Sequence, residues 1–139
     1  MVLLDVNVLV YAFRPDAQRH EDYAAYVQEL ARGPSAFGLA DIVCSGFVRI
    51  VTHPRIFTPP AYAGEALESP EALRTQPNCV VISPGARHWR IFTELCATTN
   101  AKGNLVADAY LAALALESGS EWVRPTLCSF SRPHVASSP

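Results

Sequence analysis

The feature that most constrains this chain is the recurrence of short, unbroken apolar runs separated by longer stretches of helical period. Val2-Leu3-Leu4 stops at Asp5, and Cys79-Val80-Val81-Ile82 stops at Ser83-Pro84-Gly85. Such runs mark strands buried on both faces of a parallel sheet, whereas a sheet wetted on one face alternates apolar and polar positions. Between them, helices are predicted for Val6 to Phe13 and for His20 to Ala31, where Tyr23, Tyr26, Val27 and Leu30 fall at helical spacing before Gly33-Pro34. Ser35 to Gly38 reads as a short extended segment. Leu39 to Thr52 reads as a helix with Ile42, Val43, Phe47 and Ile50 on one stripe, ended near His53-Pro54. A weaker helix is predicted from about Tyr62 to Arg74, and two more for Ala86 to Ala97 and Asn104 to Leu116. Ser118-Gly119 closes the last of these and Glu121-Trp122-Val123 follows as a candidate strand. Strands alternating with helices predict an open α/β sheet.

The 139 residues are 50% hydrophobic and 17% charged, which suits one domain with its own core. A formal net charge of −2 supplies no global basic field, so any contact with nucleic acid has to be local. Cys44, Cys79, Cys96 and Cys128 contain no CxxC pair and indicate neither a zinc site nor a disulfide framework. The N-terminus shows no basic leader and no long apolar run, so a soluble cytoplasmic chain without a membrane partner is expected. At Arg124 the character changes. The remaining stretch to Pro139 carries Pro125, Pro133 and Pro139 and no acidic side chain, and is expected to be an irregular tail that neither completes an acidic pocket nor packs as a regular element.

Three acids carry the candidate chemistry. Asp5 is placed by its strand at a C-terminal strand end, where open parallel sheets collect reactive groups, although an Asp there also serves as a helix cap. Asp108 stands alone in the apolar run Leu105 to Leu116 and needs a partner, which a hard divalent cation supplies and a solvated polar stripe makes unnecessary. Asp41 opens the third helix, where the helix N-terminus favours an acid whatever else it does. Glu117 lies nine positions beyond Asp108, at about 100° per residue on the opposite helical face. Asn7, two residues after Asp5, reads either as a group that hydrogen-bonds Asp5 or a water beside it, or as a solvent-facing turn amide. His20, His53, His88 and His134 show no metal-ligand spacing, and no GxSxG or phosphate-loop motif is present.

Three segments form a pattern together: Leu4 to Ala12, Ser45 to Phe57 and Gly103 to Ala115. In these the chain resembles the PIN-domain ribonuclease toxins of VapBC toxin–antitoxin systems, particularly the mycobacterial group, over residues 1–123. The resemblance implies a three-layer α/β/α domain with a central parallel sheet and an acidic pocket that holds Mg²⁺, or Mn²⁺, for cleavage of RNA. It implies Asp5, Asp41 and Asp108 as catalytic residues, Asp5 and Asp108 as metal ligands, and Asn7 and Asn104 as supporting polar groups. Asp41 stands where the group usually has Glu, one methylene longer. The implied partners are a VapB-like antitoxin, an RNA substrate and a second copy of the chain. Part of the apolar surface of the first two helices (Val8, Leu9, Tyr11, Phe13, Tyr23, Tyr26 and Val27) is expected either to receive an antitoxin segment or to pack in the core. Family members follow the strand at Trp122-Val123 with a Ser/Thr-x-Asp-x-Asp-Phe segment. Here Arg124 to His134 carries no carboxylate. A second reading therefore stays open, a catalytically impaired homologue that retains antitoxin or subunit binding.

Overall fold

The computed structural model describes residues 1–125 and the backbone of 134–136. Its elements, in chain order, are β1 (Val2–Leu4), α1 (Val6–Phe13), α2 (His20–Arg32), β2 (Phe37–Ala40), α3 (Asp41–Val51), α4 (Ala63–Arg74), β3 (Cys79–Ile82), α5 (His88–Thr99), α6 (Asn104–Ser118), β4 (Glu121–Arg124) and β5 (His134–Ala136). Four strands form a parallel sheet in the order β3-β2-β1-β4, and β5 pairs antiparallel with β4 beyond it. The α/β architecture expected from the apolar runs is the one found, with six helices flanking the parallel strands. Except for β5, the tail from residue 126 onward lies outside the described residues.

The sheet is the floor of the core. Leu3, Leu4, Phe37, Leu39 and Val123 come from three adjacent strands and are all fully buried. Above them α1 packs on α2 and α3, and α3 on α4, while α5 and α6 pack on each other. One aromatic contact pins the first group: Phe13 at the end of α1 meets the buried ring of Phe47 on α3 edge to face, with centroids 5.3 Å apart.

Two expectations need correction. Leu39 and Ala40 belong to β2, and the third helix begins only at Asp41. A short apolar run reads equally as buried strand or helix, and here pairing with Val81 and Ile82 of β3 decides it. Ile42, placed on the buried stripe, is 45% exposed, and Val51 takes the inward position with Val43 and Phe47. The apolar set on the first two helices is core. Val8, Leu9, Tyr23 and Val27 are buried, and Tyr11, Phe13 and Tyr26 pack against them.

Helix α5 is attached differently from the others. Its one fully buried side chain is His88, whose Nε2–H donates to the Tyr110 carbonyl of α6 at 3.0 Å while the imidazole meets the Tyr110 ring at 4.4 Å. At the other end of α6, Glu117 accepts the backbone N–H groups of Gly85 and Arg87 at 2.7 and 2.9 Å. These hydrogen bonds hold its carboxyl below the usual range. Glu117 thus fastens the loop before α5, on the face away from Asp108 that helical spacing assigns it. Gly103 opens α6 with φ +55° and ψ −123°, a conformation that side chains exclude, and so sets the direction in which α6 leaves the loop. Among the described residues no helix is long and apolar enough to cross a membrane.

Candidate active site

Strand order locates the site. From β1 the chain steps to β2 and then to β3, and it then returns across the sheet to β4 on the other side of β1. The reversal lies between β1 and β4, and the crevice beyond their C-terminal ends is where open α/β sheets bind ligands. Asp5 follows β1 directly, and its backbone N–H donates to the Val123 carbonyl of β4 at 3.0 Å. The sequence therefore delivers a carboxylate into the crevice with no loop to blur its position.

The Asp5 side chain is buried, with the residue 7% exposed. It holds the N-cap position of α1 without a capping hydrogen bond of normal geometry. Burial pushes its pKa above the ordinary carboxylate value, the nearby N–H groups of Val6 and Asn7 oppose that rise, and the negative charge of Asp108 adds to it. The last effect puts Asp108 of α6 within electrostatic range of Asp5. Neither carboxylate forms an ion pair among the described residues. The indole N–H of Trp122 on β4 lies close enough to Asp5 to favour its ionised form weakly, yet it makes no hydrogen bond of normal length and is buried without a partner.

A buried carboxylate beside a second one, with no cation to offset them, is unfavourable unless one or both is protonated or a cation enters. The donors are hard oxygens, and a hard divalent ion takes one or two carboxylates and fills its remaining positions with water. The residues present therefore fit such an ion. Among the described residues no group of three or more His, Cys, Asp or Glu side chains is gathered for a metal. Asp41, at the start of α3, has a side chain 72% exposed and is ion-paired with Arg74 at the end of α4. The backbone places it at the same end of the sheet, one residue beyond β2, but its partner in the structure is Arg74. Asn7 and Asn104, in the first turns of α1 and α6, are both exposed.

Two features of the site went unread in the sequence. Between α5, α6 and β4 lies a cavity of about 210 Å³, and Asp108 forms part of its wall together with Leu95, Thr99, Leu105, Trp122 and Arg124. The Arg124 guanidinium carbon sits 4.4 Å from the centre of the Trp122 ring. The alternation Trp122-Val123-Arg124 puts the first and third side chains on one face of β4, which is the only sequence signal that points to this pairing.

The PIN domain family matches residues 2–125 of the chain. The chain is 43% identical to ribonuclease VapC43 of Mycobacterium tuberculosis over 123 residues, which cover 88% of this chain and 84% of that protein. Among solved structures it is similar to VapBC2 from Rickettsia felis bound to a DNA fragment from their promoter, with a TM-score of 0.64 and 17% identity over 91% of this chain and 89% of that one. FitAcB from Neisseria gonorrhoeae aligns with a TM-score of 0.53 and 18% identity over 94% and 90% of the two chains. At these identities the two structures establish the shared fold.

Proposed function

Because this chain belongs to the PIN-domain VapC ribonuclease toxins, we propose that it hydrolyses RNA phosphodiester bonds with Mg²⁺ or Mn²⁺ held by Asp5 and Asp108, as the toxin of a type II toxin–antitoxin pair. The observation that carries the reading is the buried Asp5 at the sheet's switch point, within electrostatic range of Asp108, with neither carboxylate in an ion pair among the described residues. A bound divalent cation supplies an activated water at neutral pH and offsets charge that develops on the phosphate.

The chain's own residues do the rest. Asp5 and Asp108 hold the ion from two different elements, a strand end and a helix, so their separation is fixed by the packing of α6 on β4 and not by a flexible loop. Burial of Asp5 keeps bulk water from one side of the site, which strengthens each electrostatic interaction there. Asn7 and Asn104 supply polar groups to waters at the rim. The antitoxin partner, a VapB-like protein, and a second copy of the chain complete the proposed assembly.

Asp41 takes a supporting place. Its ion pair with Arg74 is largely exposed, and pairs of that kind contribute little to stability. Releasing Asp41 toward a cation or a water is therefore inexpensive. Asp41→Asn is expected to lower cleavage by about tenfold, in the range found for groups that act through a ligand or its water. A loss as large as that of Asp5 variants, measured on the same RNA, would make it a direct ligand instead.

The test of the proposal is cleavage of single-stranded RNA by the purified protein with Mg²⁺ present, stopped by EDTA and absent from an Asp5→Asn control, which separates it from contaminating nuclease. The absence of a carboxylate from Arg124 to His134 favours a second reading, an impaired homologue that binds antitoxin without cutting. Antitoxin binding by a protein that shows no metal-dependent cleavage would establish that one.

A further inference from the structure

Resting on the ribonuclease reading, we infer that the cavity between α5, α6 and β4 receives the nucleobase next to the scissile phosphate. The cavity shares Asp108 with the candidate metal site, and in a nucleotide one ribose separates base from phosphate. A strand whose phosphate lies at Asp5 and Asp108 therefore carries a base to the mouth of this cavity.

Its wall has the chemistry that a base requires. Leu95 and Leu105 supply apolar contact for the ring faces, and the Arg124 guanidinium, already stacked on Trp122, offers a flat cationic surface of the kind on which unpaired bases stack. Arg124 forms no ion pair among the described residues. Two polar groups stand ready for base edges. The Thr99 hydroxyl donates to the Leu95 carbonyl at 2.7 Å, which leaves its oxygen free to accept. The Trp122 indole N–H is buried in a residue only 6% exposed and has no partner. An arginine, an aspartate and an unpaired buried donor border this otherwise apolar cavity.

The experiment measures binding without turnover. The full chain carrying Asp5→Asn, in which turnover is largely lost, is titrated with Mg²⁺ in excess and fluorescein-labelled single-stranded oligoribonucleotides, and fluorescence anisotropy is read for the intact strand and for strands with one abasic position moved along the sequence. One abasic position is expected to weaken binding about 5- to 150-fold, the range for loss of a stacked base, and the others much less. Ala112→Leu, which fills the cavity from α6, is expected to weaken binding of the intact strand to the level of that abasic strand and to abolish the position dependence. Should Ala112→Leu fail to fold, as judged by melting, Thr99→Leu narrows the cavity from α5 with the same expectation.

Equal losses at every abasic position, or unchanged binding by a folded cavity-filled variant, overturn the inference. Cleavage by the wild-type chain with Mg²⁺ under either of those results leaves the ribonuclease reading standing. Absence of both binding and cleavage overturns both. Loss of self-association in Ala112→Leu with RNA binding intact would assign the cavity to a second copy of the chain, and also overturns it.

Discussion

Asp5→Asn is expected to reduce metal-dependent RNA cleavage by about 10³-fold or more while leaving the fold intact. A metal ion in such a site contributes several kcal/mol to transition-state stabilisation, and each ~1.36 kcal/mol is a factor of ten in rate. In the proposed site Asp5 and Asp108 are the two protein ligands, so removing one removes half of them. The stability readout moves the other way. Because burial and Asp108 raise the folded-state pKa of Asp5 above its ordinary value, the contribution of its protonated form is complete below that ordinary value and is lost as pH rises through the raised one. At neutral pH the ionised carboxylate therefore weakens the metal-free fold, and a neutral amide of the same shape does not. Metal-free Asp5→Asn is expected to melt at the same temperature as the wild type or a few degrees above it, and to lose the stabilisation that Mg²⁺ gives the wild type. A variant inactive because it is unfolded would melt lower, so the two measurements together separate chemistry from structure.

The second large effect is on stability. Phe47→Ala is expected to cost about 3–5 kcal/mol, read as a fall of roughly 10–20 °C in melting temperature for a domain of this size. Phe47 is fully buried and its ring takes the edge-to-face contact with Phe13 that ties α1 to α3. Truncation leaves a void between two helices whose N-terminal ends carry Asp5 and Asp41. Since domains are stable by only about 5–15 kcal/mol, this one side chain accounts for a large part of the margin. A Phe47→Leu variant, which keeps most of the volume, is expected to lose about half as much. Equal losses in both variants would mean that the aromatic contact matters more than the volume.

What the sequence discloses and what it hides divide along one physical line. Patterns set by neighbours in the chain are legible. The boundaries of α1 are given by Asp5 on one side and Arg14-Pro15 on the other, and the helical angle alone puts Glu117 away from Asp108. The strand after α6 follows from Gly119, which takes φ +68° and ends the helix. Features that depend on which segment meets which are not legible. Leu39-Ala40 is β2 because β3 pairs with it, and no local signal distinguishes it from a helical turn. Tyr23 and Val27 look like spare apolar surface until α1 covers them. The ion pair that engages Asp41 comes from Arg74, thirty-three residues later and on another helix. The cavity beside Asp108 arises from the way α5 leans on α6, held by the His88 hydrogen bond to the Tyr110 carbonyl. Asp5 was legible because a strand end fixes it. Its juxtaposition with Asp108 requires the return of the chain across the sheet, which the strand order provides.

Binding of Mn²⁺ to the wild-type chain, to Asp5→Asn and to Asp108→Asn, followed by electron paramagnetic resonance of the free ion, tests directly whether these two carboxylates share a cation. The expected result is a wild-type chain that binds the ion and two folded variants that each bind it at least about tenfold more weakly. Wild-type affinity in either variant would contradict the assignment of Asp5 and Asp108 as a joint metal site.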